Sequence, residues 1–327
     1  MLTKKQNLIE TIRGGNPDRY VNQFEAFTLQ RATPFYEHNP NPKRGELNVV
    51  NAWGIAKSFP EGTPGPFPVH DDEHVVIKDI TRWKDYVTVP NIVFSEEEWA
   101  PYVEEASKID RNECFVTGFV APGVFEQCHY LMEISKCLMN FYLEPDAMHE
   151  IIEMITEWEL LYAAEMCKYI KPDALLHHDD WGSQKSTFVS PEMFKEFFLE
   201  PYKRIYGYYK NHGVEVVIHH SDSYGATLIP HMIDMGIDIW QGCMRSNNIP
   251  EMLRAGGGKL SFMCGIDNAD VDRPGWTPEL AEAAVKRAVS DGARHYFIPC
   301  MTGGGPGSTY PGVYDTVSAA ISRINGI

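Results

Sequence analysis

Two pairs of adjacent histidines carry the most concentrated chemistry of this sequence. One pair opens the segment 177–181, His-His-Asp-Asp-Trp, and the other opens the segment 219–222, His-His-Ser-Asp. On a β-strand, residues i and i+2 point the same way, so His220 and Asp222 can face one centre. Imidazole, carboxylate and thiolate groups are all zinc ligands. With Cys300 contributed by a later strand, the sequence predicts a metal site of His220, Asp222 and Cys300 whose fourth position is open to a substrate or water.

The same residue types also have a structural interpretation. Asp222 would then cap the helix that follows its strand, and Cys300 would be a small buried apolar side chain. We favour the metal site because several His, Asp and Cys residues fall at the carboxyl ends of predicted strands. Buried polar groups that lack partners cost about 1–3 kcal/mol each, so a protein rarely collects them without a use.

Five further residues with polar or aromatic side chains lie at or near the ends of predicted strands. We take them as candidates for binding the substrate: Glu25, Trp53, Phe119, Gln241 and Cys264. The two aromatic residues of this set could stack on an aromatic ring, although aromatic side chains at such places also serve as packing.

Three consecutive glycines, residues 303–305, follow the last predicted strand. They could form a phosphate-binding loop, since such loops occur at this place in barrels. No Lys or Arg is close to them in the sequence, so we favour a flexible loop at the active site.

The elements that must position these residues are indicated by alternating patterns. Short β-branched or aromatic runs alternate with longer segments of helical period, which is typical of βαβ units and a parallel sheet. Several runs are continuously apolar, as expected of strands covered on both faces. The eight predicted strands are 20–27, 48–55, 114–119, 173–180, 214–222, 237–242, 260–267 and 295–301.

The predicted helices have recognisable starts. Ser190-Pro191 and Thr277-Pro278 each place an N-cap residue before a proline at the first helical position. Segment 146–170 is predicted to be one long helix, and a short amphipathic helix is expected at the N-terminus. The segment near 57–75 is rich in Pro and Gly and is predicted to be an insertion loop.

Eight β/α units in 327 residues predict a single (β/α)8-barrel, or TIM-barrel, domain over residues 1–327. A doubly wound open sheet is the alternative. No Gly-x-Gly-x-x-Gly run follows the first strand, which removes the main reason to expect a dinucleotide-binding fold. In a barrel the catalytic groups come from the carboxyl ends of the strands, where both histidine pairs fall.

The composition narrows the classes of partner. The formal net charge is −16, with 29 Lys and Arg against 45 Asp and Glu. Nucleic acid and anionic membranes are therefore not expected as partners, because both attract positive surfaces. The chain shows no signal peptide and no apolar run of the roughly 18 residues that span a membrane. We expect a cytoplasmic protein whose seven cysteines are thiols.

Short motifs from about residue 122 onward resemble those of the uroporphyrinogen decarboxylase superfamily, which is built on a TIM barrel. The motifs are Asp180-Trp181-Gly182, Ser190-Pro191 with Phe194 and Pro201, His220-Ser221-Asp222, Gly236-Ile237-Asp238, Gly265-Ile266-Asp267 and Pro299-Cys300. Each is short, but their order and spacing together are fairly specific.

Two branches of this superfamily have different chemistry. True uroporphyrinogen decarboxylases carry an Arg-Gln-Ala-Gly-Arg run near the N-terminus, whose arginines hold substrate carboxylates. The corresponding region here, residues 22–27, reads Asn-Gln-Phe-Glu-Ala-Phe, with an acid where a base is needed. A porphyrinogen with several carboxylates would be repelled by this acid and by the net charge. We therefore reject the decarboxylase branch.

The other branch contains the zinc- and corrinoid-dependent methyltransferases, which use methanol, methylamines, thiols or aryl methyl ethers. Their zinc site resembles His-x-Cys followed by a distant Cys. The chain has similar spacing in His220, Asp222 and Cys300, with Asp in place of the first Cys. A zinc ion with an oxygen ligand is better suited to activating an ether oxygen than to capturing a thiolate. The resemblance therefore implies an O-demethylase that takes methyl from an O-methyl donor, with an aryl methyl ether as the expected substrate.

The resemblance also implies roles for the remaining residues. A Lewis acid or a proton donor would activate the leaving oxygen while a Co(I) corrinoid takes the methyl group. His178, Asp180 and His219 are the candidate catalytic residues, the first two to supply a proton or orient the phenol. The corrinoid should belong to a partner protein, because the chain lacks an Asp-x-His-x-x-Gly run. A metal-free lyase, a barrel that only binds a ligand, and a homodimer remain open.

Overall fold

A computed structural model describes residues 1–326 of the chain. Its strands are β1 (Phe27–Gln30), β2 (Val49–Val50), β3 (Ala56–Ser58), β4 (Phe67–Pro68), β5 (Phe115–Val120), β6 (Ala174–His178), β7 (Val216–His220), β8 (Ile239–Gln241), β9 (Ser261–Ile266) and β10 (Phe297–Met301). Its α-helices are α1 (Lys4–Ile12), α2 (Pro34–His38), α3 (Glu96–Ser107), α4 (Val124–Met132), α5 (Ile134–Leu143), α6 (Pro145–Tyr169), α7 (Pro191–Phe197), α8 (Leu199–Asn211), α9 (Ile229–Asp234), α10 (Ile249–Gly256), α11 (Asn268–Val271), α12 (Pro278–Asp291) and α13 (Val313–Asn325).

Seven parallel strands form the main sheet, in the order β1-β5-β6-β7-β8-β9-β10. The spatial order therefore follows the chain order. A doubly wound sheet reverses its strand order at a switch point, and this sheet has no such reversal within residues 1–326. The side chain of Gln23, just before β1, accepts the backbone N–H of Met301 at the end of β10 (3.2 Å) and links the two edge strands. The fold is the predicted TIM barrel, although its sheet has seven strands within residues 1–326 rather than the eight expected.

The second predicted strand, 48–55, is not part of the barrel sheet. Its two paired residues form β2, which pairs antiparallel with β3, and β3 pairs antiparallel with β4. The side-chain amide oxygen of Asn51 accepts the N–H groups of Trp53 and Ile55, both at 3.0 Å, and so bends the chain into a hairpin. Val50 is 56% exposed. Asn51 and Gly54, which has a φ of +77°, interrupt the apolar residues of the segment with a turn, so it lies in a small sheet outside the barrel.

The predicted helix starts are confirmed. Ser190 Oγ accepts the N–H of Met193 (3.2 Å), and Thr277 Oγ1 accepts the N–H of Leu280 (3.4 Å). The long helix predicted at 146–170 is α6, which has 25 residues. Helices α6, α8 and α12 pack on the main sheet or on each other. Within residues 1–326 no helix combines the length and the apolar character needed to cross a membrane.

The alternation of side chains along the strands separates two apolar layers. One layer lies inside the barrel and includes residues 174 and 176 of β6 and residues 216 and 218 of β7. The other lies beneath the helices and includes Leu175 and Val217. By the period of two, His178 and His220 continue the inner row to its carboxyl end, whereas the preceding histidine of each pair faces the helices.

Candidate active site

His178, Asp180 and His220 form a compact group at the carboxyl ends of β6 and β7. Their potential ligand atoms all lie within 4.8 Å of one another. His178 and His220 are paired in register on the neighbouring strands, and their ring centroids are 4.3 Å apart. One carboxylate oxygen of Asp180 lies 3.8 Å from His220 Nε2. We call this group the His-Asp-His cluster.

The tautomer of His220 is determined by Gln241, its in-register neighbour on β8. The Gln241 side-chain nitrogen donates to two backbone carbonyls, those of Met301 (3.0 Å) and Gly303 (3.1 Å). The side-chain oxygen must therefore face His220, and it accepts from Nδ1 of that ring. His220 thus carries its proton on Nδ1 and presents the lone pair of Nε2 to the cluster. Burial and the neighbouring His178 lower the pKa of His220 to about 4.

His178 is oriented in the same way by an acid. Its Nδ1 lies 3.1 Å from Glu126 Oε2, on the first turn of α4. The other oxygen of Glu126 accepts the hydroxyl of Tyr130 (3.2 Å). Burial alone would lower the pKa of His178, but the carboxylates of Glu126 and Asp180 together with that of Asp222 raise it to about 9. A carboxylate on Nδ1 leaves Nε2 facing the cluster, an arrangement that commonly orients metal-binding histidines.

Asp179 positions the helix that carries Glu126. The Asp179 carboxylate is fully buried and accepts the backbone N–H groups of Phe125 (2.9 Å) and Glu126 (2.8 Å). It also accepts the hydroxyl of Tyr202. A negative side chain at a helix N-terminus satisfies free N–H groups and interacts favourably with the helix dipole. Asp179 therefore fixes the start of α4, and α4 in turn fixes Glu126 against His178.

Gly304 covers the cluster from the loop that follows β10. A Cβ atom at this position would lie 3.1 Å from His178 Nε2 and 3.2 Å from His220 Nε2. Both ring nitrogens therefore point toward one small volume, and only glycine leaves that volume free. The Arg31 side chain donates to the carbonyl of Gly304 (3.0 Å). An arginine distant in sequence thus meets the glycine loop, which the sequence alone did not reveal.

The first histidine of each pair belongs to a different, fully buried network. His219 Nε2 donates to the carbonyl of Asp179 (3.1 Å), so its Nδ1 accepts the hydroxyl of Tyr206 (3.0 Å). Its ring is stacked on Trp181 at 3.7 Å. His177 lies 2.8 Å from Glu159 on α6. Burial and the neighbouring His177 hold the pKa of His219 well below its usual value. His219, predicted to be catalytic, has no free nitrogen to offer a substrate.

The structure revises the predicted set of metal ligands. His220 belongs to the His-Asp-His cluster, but within residues 1–326 Asp222 and Cys300 do not. Asp222 lies two residues beyond β7, where the chain has left the strand and the period of two no longer applies; its backbone N–H donates to Asp180 (3.0 Å). Burial and the neighbouring Asp180 raise the pKa of Asp222 to about 7. Cys300 is fully buried in the apolar layer inside the barrel, and burial raises its pKa well above the usual value.

A cavity of about 680 Å³ opens beside the cluster. His178, Glu126 and Gly304 form part of its wall. Seven aromatic side chains also line it: Phe35, Tyr36, Trp53, Phe119, Tyr130, Trp158 and Tyr162. Several of these rings pack edge to face, with centroids 4.9–5.3 Å apart for the pairs that Trp158 makes with Phe35 and Trp53. The cavity is therefore rich in aromatic side chains, and its wall also includes imidazole and carboxylate groups.

The five residues predicted to bind the substrate lie in four different places. Trp53 and Phe119 line the cavity. Gln241 is fully buried behind His220 and orients it. Glu25 precedes β1, and its carbonyl accepts the thiol of Cys114 (3.4 Å) just before β5, which places it at the amino end of the barrel. Cys264 is fully buried in the layer beneath the helices, because its neighbour Met263 occupies the inner position of β9.

Glu126 is the residue that the sequence analysis missed. It lies on a helix, and only the carboxyl ends of strands were searched for chemistry. A sequence signal existed, since Glu126 is the one charged residue in the apolar stretch from Val120 to Met132 apart from a histidine. Gly304 was recognised only as part of a glycine run. All seven cysteines are free thiols, as predicted.

The donor atoms of the cluster fit a zinc ion. Two imidazole nitrogens and one carboxylate oxygen make a three-ligand set of the kind that holds catalytic zinc with one position open. Both imidazole rings have their other nitrogen engaged, by Gln241 and Glu126 respectively. Such partners fix the ring orientation and are a regular feature of metal-binding histidines. The space that a Cβ at Gly304 would fill lies in front of both free nitrogens.

Comparison with known proteins gives a family match over most of the chain. The sequence profile of the family Uroporphyrinogen decarboxylase (URO-D) matches residues 47–297. "Uroporphyrinogen decarboxylase 2, chloroplastic" from Oryza sativa subsp. japonica is 30% identical over 216 residues, covering 57% of this chain and 51% of the rice protein. "Uroporphyrinogen decarboxylase" from Hordeum vulgare is 30% identical over 128 residues, covering 34% and 35%. The chain thus spans about half or less of these plant proteins.

Among solved structures, a methyltransferase from Methanosarcina mazei resembles the whole chain. The TM-score is 0.67, and the match covers 99% of both chains at 15% sequence identity. At this identity the likeness concerns the fold. It agrees with the sequential order of the parallel strands and with the TIM barrel that they form.

Proposed function

Because the chain belongs to the uroporphyrinogen decarboxylase family, we propose that it is a methyltransferase of that superfamily, which moves a methyl group from an aryl methyl ether to the Co(I) corrinoid of a partner protein. The structural relative from Methanosarcina mazei is itself described as a methyltransferase. Methanol, methylamine or a thiol as donor, and a lyase reaction, are the alternatives. The observation that carries the proposal is the aromatic cavity whose wall includes His178 of the His-Asp-His cluster.

In this proposal His178, Asp180 and His220 hold a zinc ion. When bound there, zinc supplies Lewis-acid chemistry to the ether oxygen of the substrate. The protein's contribution is to prepare the ligands. Gln241 keeps the lone pair of His220 on Nε2, and the backbone N–H of Asp222 orients Asp180. Glu126 orients His178, and its negative charge balances the positive charge of that ring when the ring is protonated. Loading the site at neutral pH therefore releases a proton from His178.

The aromatic side chains of the cavity orient the substrate. Flat rings on several sides hold the aryl group by stacking and edge contacts, and they exclude water from the ether. In the overall reaction the bond between the methyl carbon and oxygen breaks and a bond between that carbon and cobalt forms. The electron pair of the broken bond leaves with the oxygen, which takes a proton from solvent to become a phenol. The corrinoid must approach from the open side of the barrel mouth.

The direct test combines metal analysis with a methyl-transfer assay. Purified protein is expected to contain about one zinc per chain. It is then mixed with a reduced corrinoid protein and a panel of O-, N- and S-methyl compounds, and the methylcobalt absorbance is followed. We expect it to appear with methoxybenzene derivatives and not with methylamines.

The controls separate the alternatives. The double variant His178→Ala/His220→Ala removes two of the three ligands and should abolish both zinc binding and methyl transfer. A response to N- or S-methyl donors alone would change the donor class. Absence of zinc together with release of carbon dioxide from carboxylated substrates would support the lyase. No spectral change with any donor would contradict methyl transfer.

A further inference from the structure

Two cationic side chains line the aromatic cavity, Arg31 and Lys57. Neither forms an ion pair within 4.0 Å with any acid of residues 1–326. The protein has a formal net charge of −16, so acids to pair with are abundant. About half of the Lys and Arg side chains form no such pair, so what distinguishes Arg31 and Lys57 is their place in the wall of an aromatic cavity.

The two acids of the cavity wall contact histidines rather than the two cations. Glu126 contacts His178 (3.1 Å) and accepts from Tyr130 (3.2 Å). Glu159 is 2.8 Å from His177. Glu159 keeps one carboxylate oxygen without a hydrogen-bond partner, but neither acid forms an ion pair with Arg31 or Lys57. Lys57 is half-buried and Arg31 is exposed. A charge that is partly removed from water is costly without a partner, so a negative group of a ligand would stabilise Lys57, and Arg31 would add its attraction.

The guanidinium group of Arg31 is held in position and still has hydrogen-bond donors available for a ligand. Its carbon lies 4.5 Å from the centroid of Phe119, and one nitrogen donates to the carbonyl of Gly304. A guanidinium has five donors, so four remain after this bond. The cation is held in place beside the loop that covers the His-Asp-His cluster. A planar carboxylate is the anion that a fork of this kind binds with two parallel bonds.

Lys57 lies outside the barrel, on strand β3 of the small antiparallel sheet. Its ammonium group is 5.1 Å from the centroid of Tyr130. The side chain is half-buried, and burial lowers its pKa, with Glu126 acting in the opposite direction. No hydrogen-bond partner of the ammonium group is found among residues 1–326. The small antiparallel sheet thus contributes a charged group to the cavity, and Trp53 from the turn before β3 also lines it.

We propose that Arg31 and Lys57 form an anion subsite that recognises a carboxylate on the aromatic ring of the substrate. The donor would then be a methoxylated aromatic acid. The aromatic walls select the ring, the two cations select the carboxylate, and the cluster meets the ether. The choice of a methoxylated acid rests on the proposed function, whereas the anion subsite is tested by binding alone.

The experiment measures binding to the purified full chain by isothermal titration calorimetry. The probes are 4-methoxybenzoate and its neutral analogue 4-methoxybenzamide, which have nearly the same shape. We expect the acid to bind about tenfold to a hundredfold more tightly than the amide, as for hydrogen bonds to charged groups. Arg31→Gln and Lys57→Met should each remove most of that preference while leaving the affinity for the amide unchanged.

Two matched variants control for the loss of a positive charge. Arg44 lies 4.4 Å from the ring of Phe59 and donates to one carbonyl at 3.0 Å, as Arg31 does, but it is not part of the cavity wall. Lys168 lies 4.4 Å from the ring of Tyr169, also outside the cavity wall. Arg44→Gln and Lys168→Met should keep the preference for the acid.

Three results would overturn the subsite. They are equal binding of the acid and the amide by the unmodified protein, a preference that persists in both Arg31→Gln and Lys57→Met, and displacement of the acid by inorganic phosphate at similar concentration. Methyl transfer from neutral methoxybenzenes only would remove the subsite and leave the proposed function. Selective binding of the acid without methyl transfer from any donor would do the reverse.

Discussion

The two histidines of each pair occupy different environments although they are neighbours in the chain. His177 and His219 lie between the sheet and its helices, are fully buried and have partners on both ring nitrogens. His178 and His220 lie at the inner edge of the barrel, with one nitrogen engaged and the other free. The difference follows from the period of two along a strand. Adjacent identical residues can therefore have unrelated roles, one in stability and the other in chemistry.

The largest expected effect comes from the inner pair. His220→Ala removes a ligand and leaves Gln241 without its partner. We expect zinc to be lost and methyl transfer to fall by about a thousandfold or more, since a catalytic metal and its orientation are both affected. Zinc content measured by mass spectrometry and the rate of methylcobalt formation check this. Retention of one zinc per chain would contradict the assignment of His220 as a ligand.

The outer pair should give the opposite result. His219→Ala removes the stack on Trp181 and two hydrogen bonds in a fully buried place. We expect the free energy of unfolding to fall by about 3 kcal/mol, as for other losses of buried networks. Chemical denaturation measures it, and zinc content under native conditions should stay near one per chain. A variant of unchanged stability that loses zinc would remove the distinction between the two pairs.

A third prediction concerns the volume in front of the inner histidines. In Gly304→Ala the added methyl group approaches both free ring nitrogens. We expect zinc affinity to fall by about tenfold to a hundredfold, with the fold intact, as for other overpacked sites. Competition with a chromophoric chelator measures the affinity. Gly65→Ala is the matched control, because Gly65 also lines the cavity and its added methyl group meets no atom of residues 1–326 within 4 Å.

A smaller effect is expected from the partner that orients His220. Gln241→Leu removes the acceptor of the Nδ1 proton, so the ring is free to rotate or change tautomer. We expect zinc affinity to fall about tenfold, at the lower end for partners of metal-binding histidines. Gln127→Leu serves as the control, since Gln127 lines the same cavity without contacting either inner histidine by a hydrogen bond. Equal losses in both variants would argue against a specific role of Gln241.

The smallest effect on the candidate site itself is expected from a histidine pair outside the cluster, His70 and His129, whose ring centroids are 6.2 Å apart. Burial, with a contribution from His70, lowers the pKa of His129 to about 3. An unfolded chain binds the proton near pH 6.5, so the stability that the neutral ring contributes is present above that pH and is lost as the pH falls toward 3. Replacing His129 by Gln should flatten the decline of unfolding free energy between pH 6.5 and 4.

Denaturant unfolding at a series of pH values measures this slope. His38→Gln, which changes an exposed histidine near Glu98, is expected to leave it unchanged. A slope that is the same in His129→Gln and in the unmodified protein would show that His129 does not carry the effect. That result would distinguish the effect of burial alone from the effect of the hydrogen-bond networks that fix the other histidines.

Most of the architecture could be predicted from the sequence because it depends on local patterns. Runs of β-branched residues, prolines at helix starts and helical periods predicted six of the seven sheet strands and the main helices, whereas the first predicted strand, 20–27, overlaps β1 at Phe27 alone. The segment 48–55 was misassigned because a hairpin and a buried strand share β-forming residues, and only the side-chain contacts of Asn51 distinguish them. The histidine pairs were recognised at the right edge of the barrel.

The sequence by itself determined that two histidine pairs would reach the carboxyl ends of adjacent strands, since strand length and alternation are local properties. Which member of each pair belongs to the His-Asp-His cluster was decided by the tertiary structure, because closing the barrel selects the face that points inward. The ligand set changed for the same reason. Glu126 arrives from a helix, Asp180 and Gly304 from loops, and Cys300 stays inside the apolar layer. These residues are brought together by long-range packing, which the spacing of residues along the chain does not indicate.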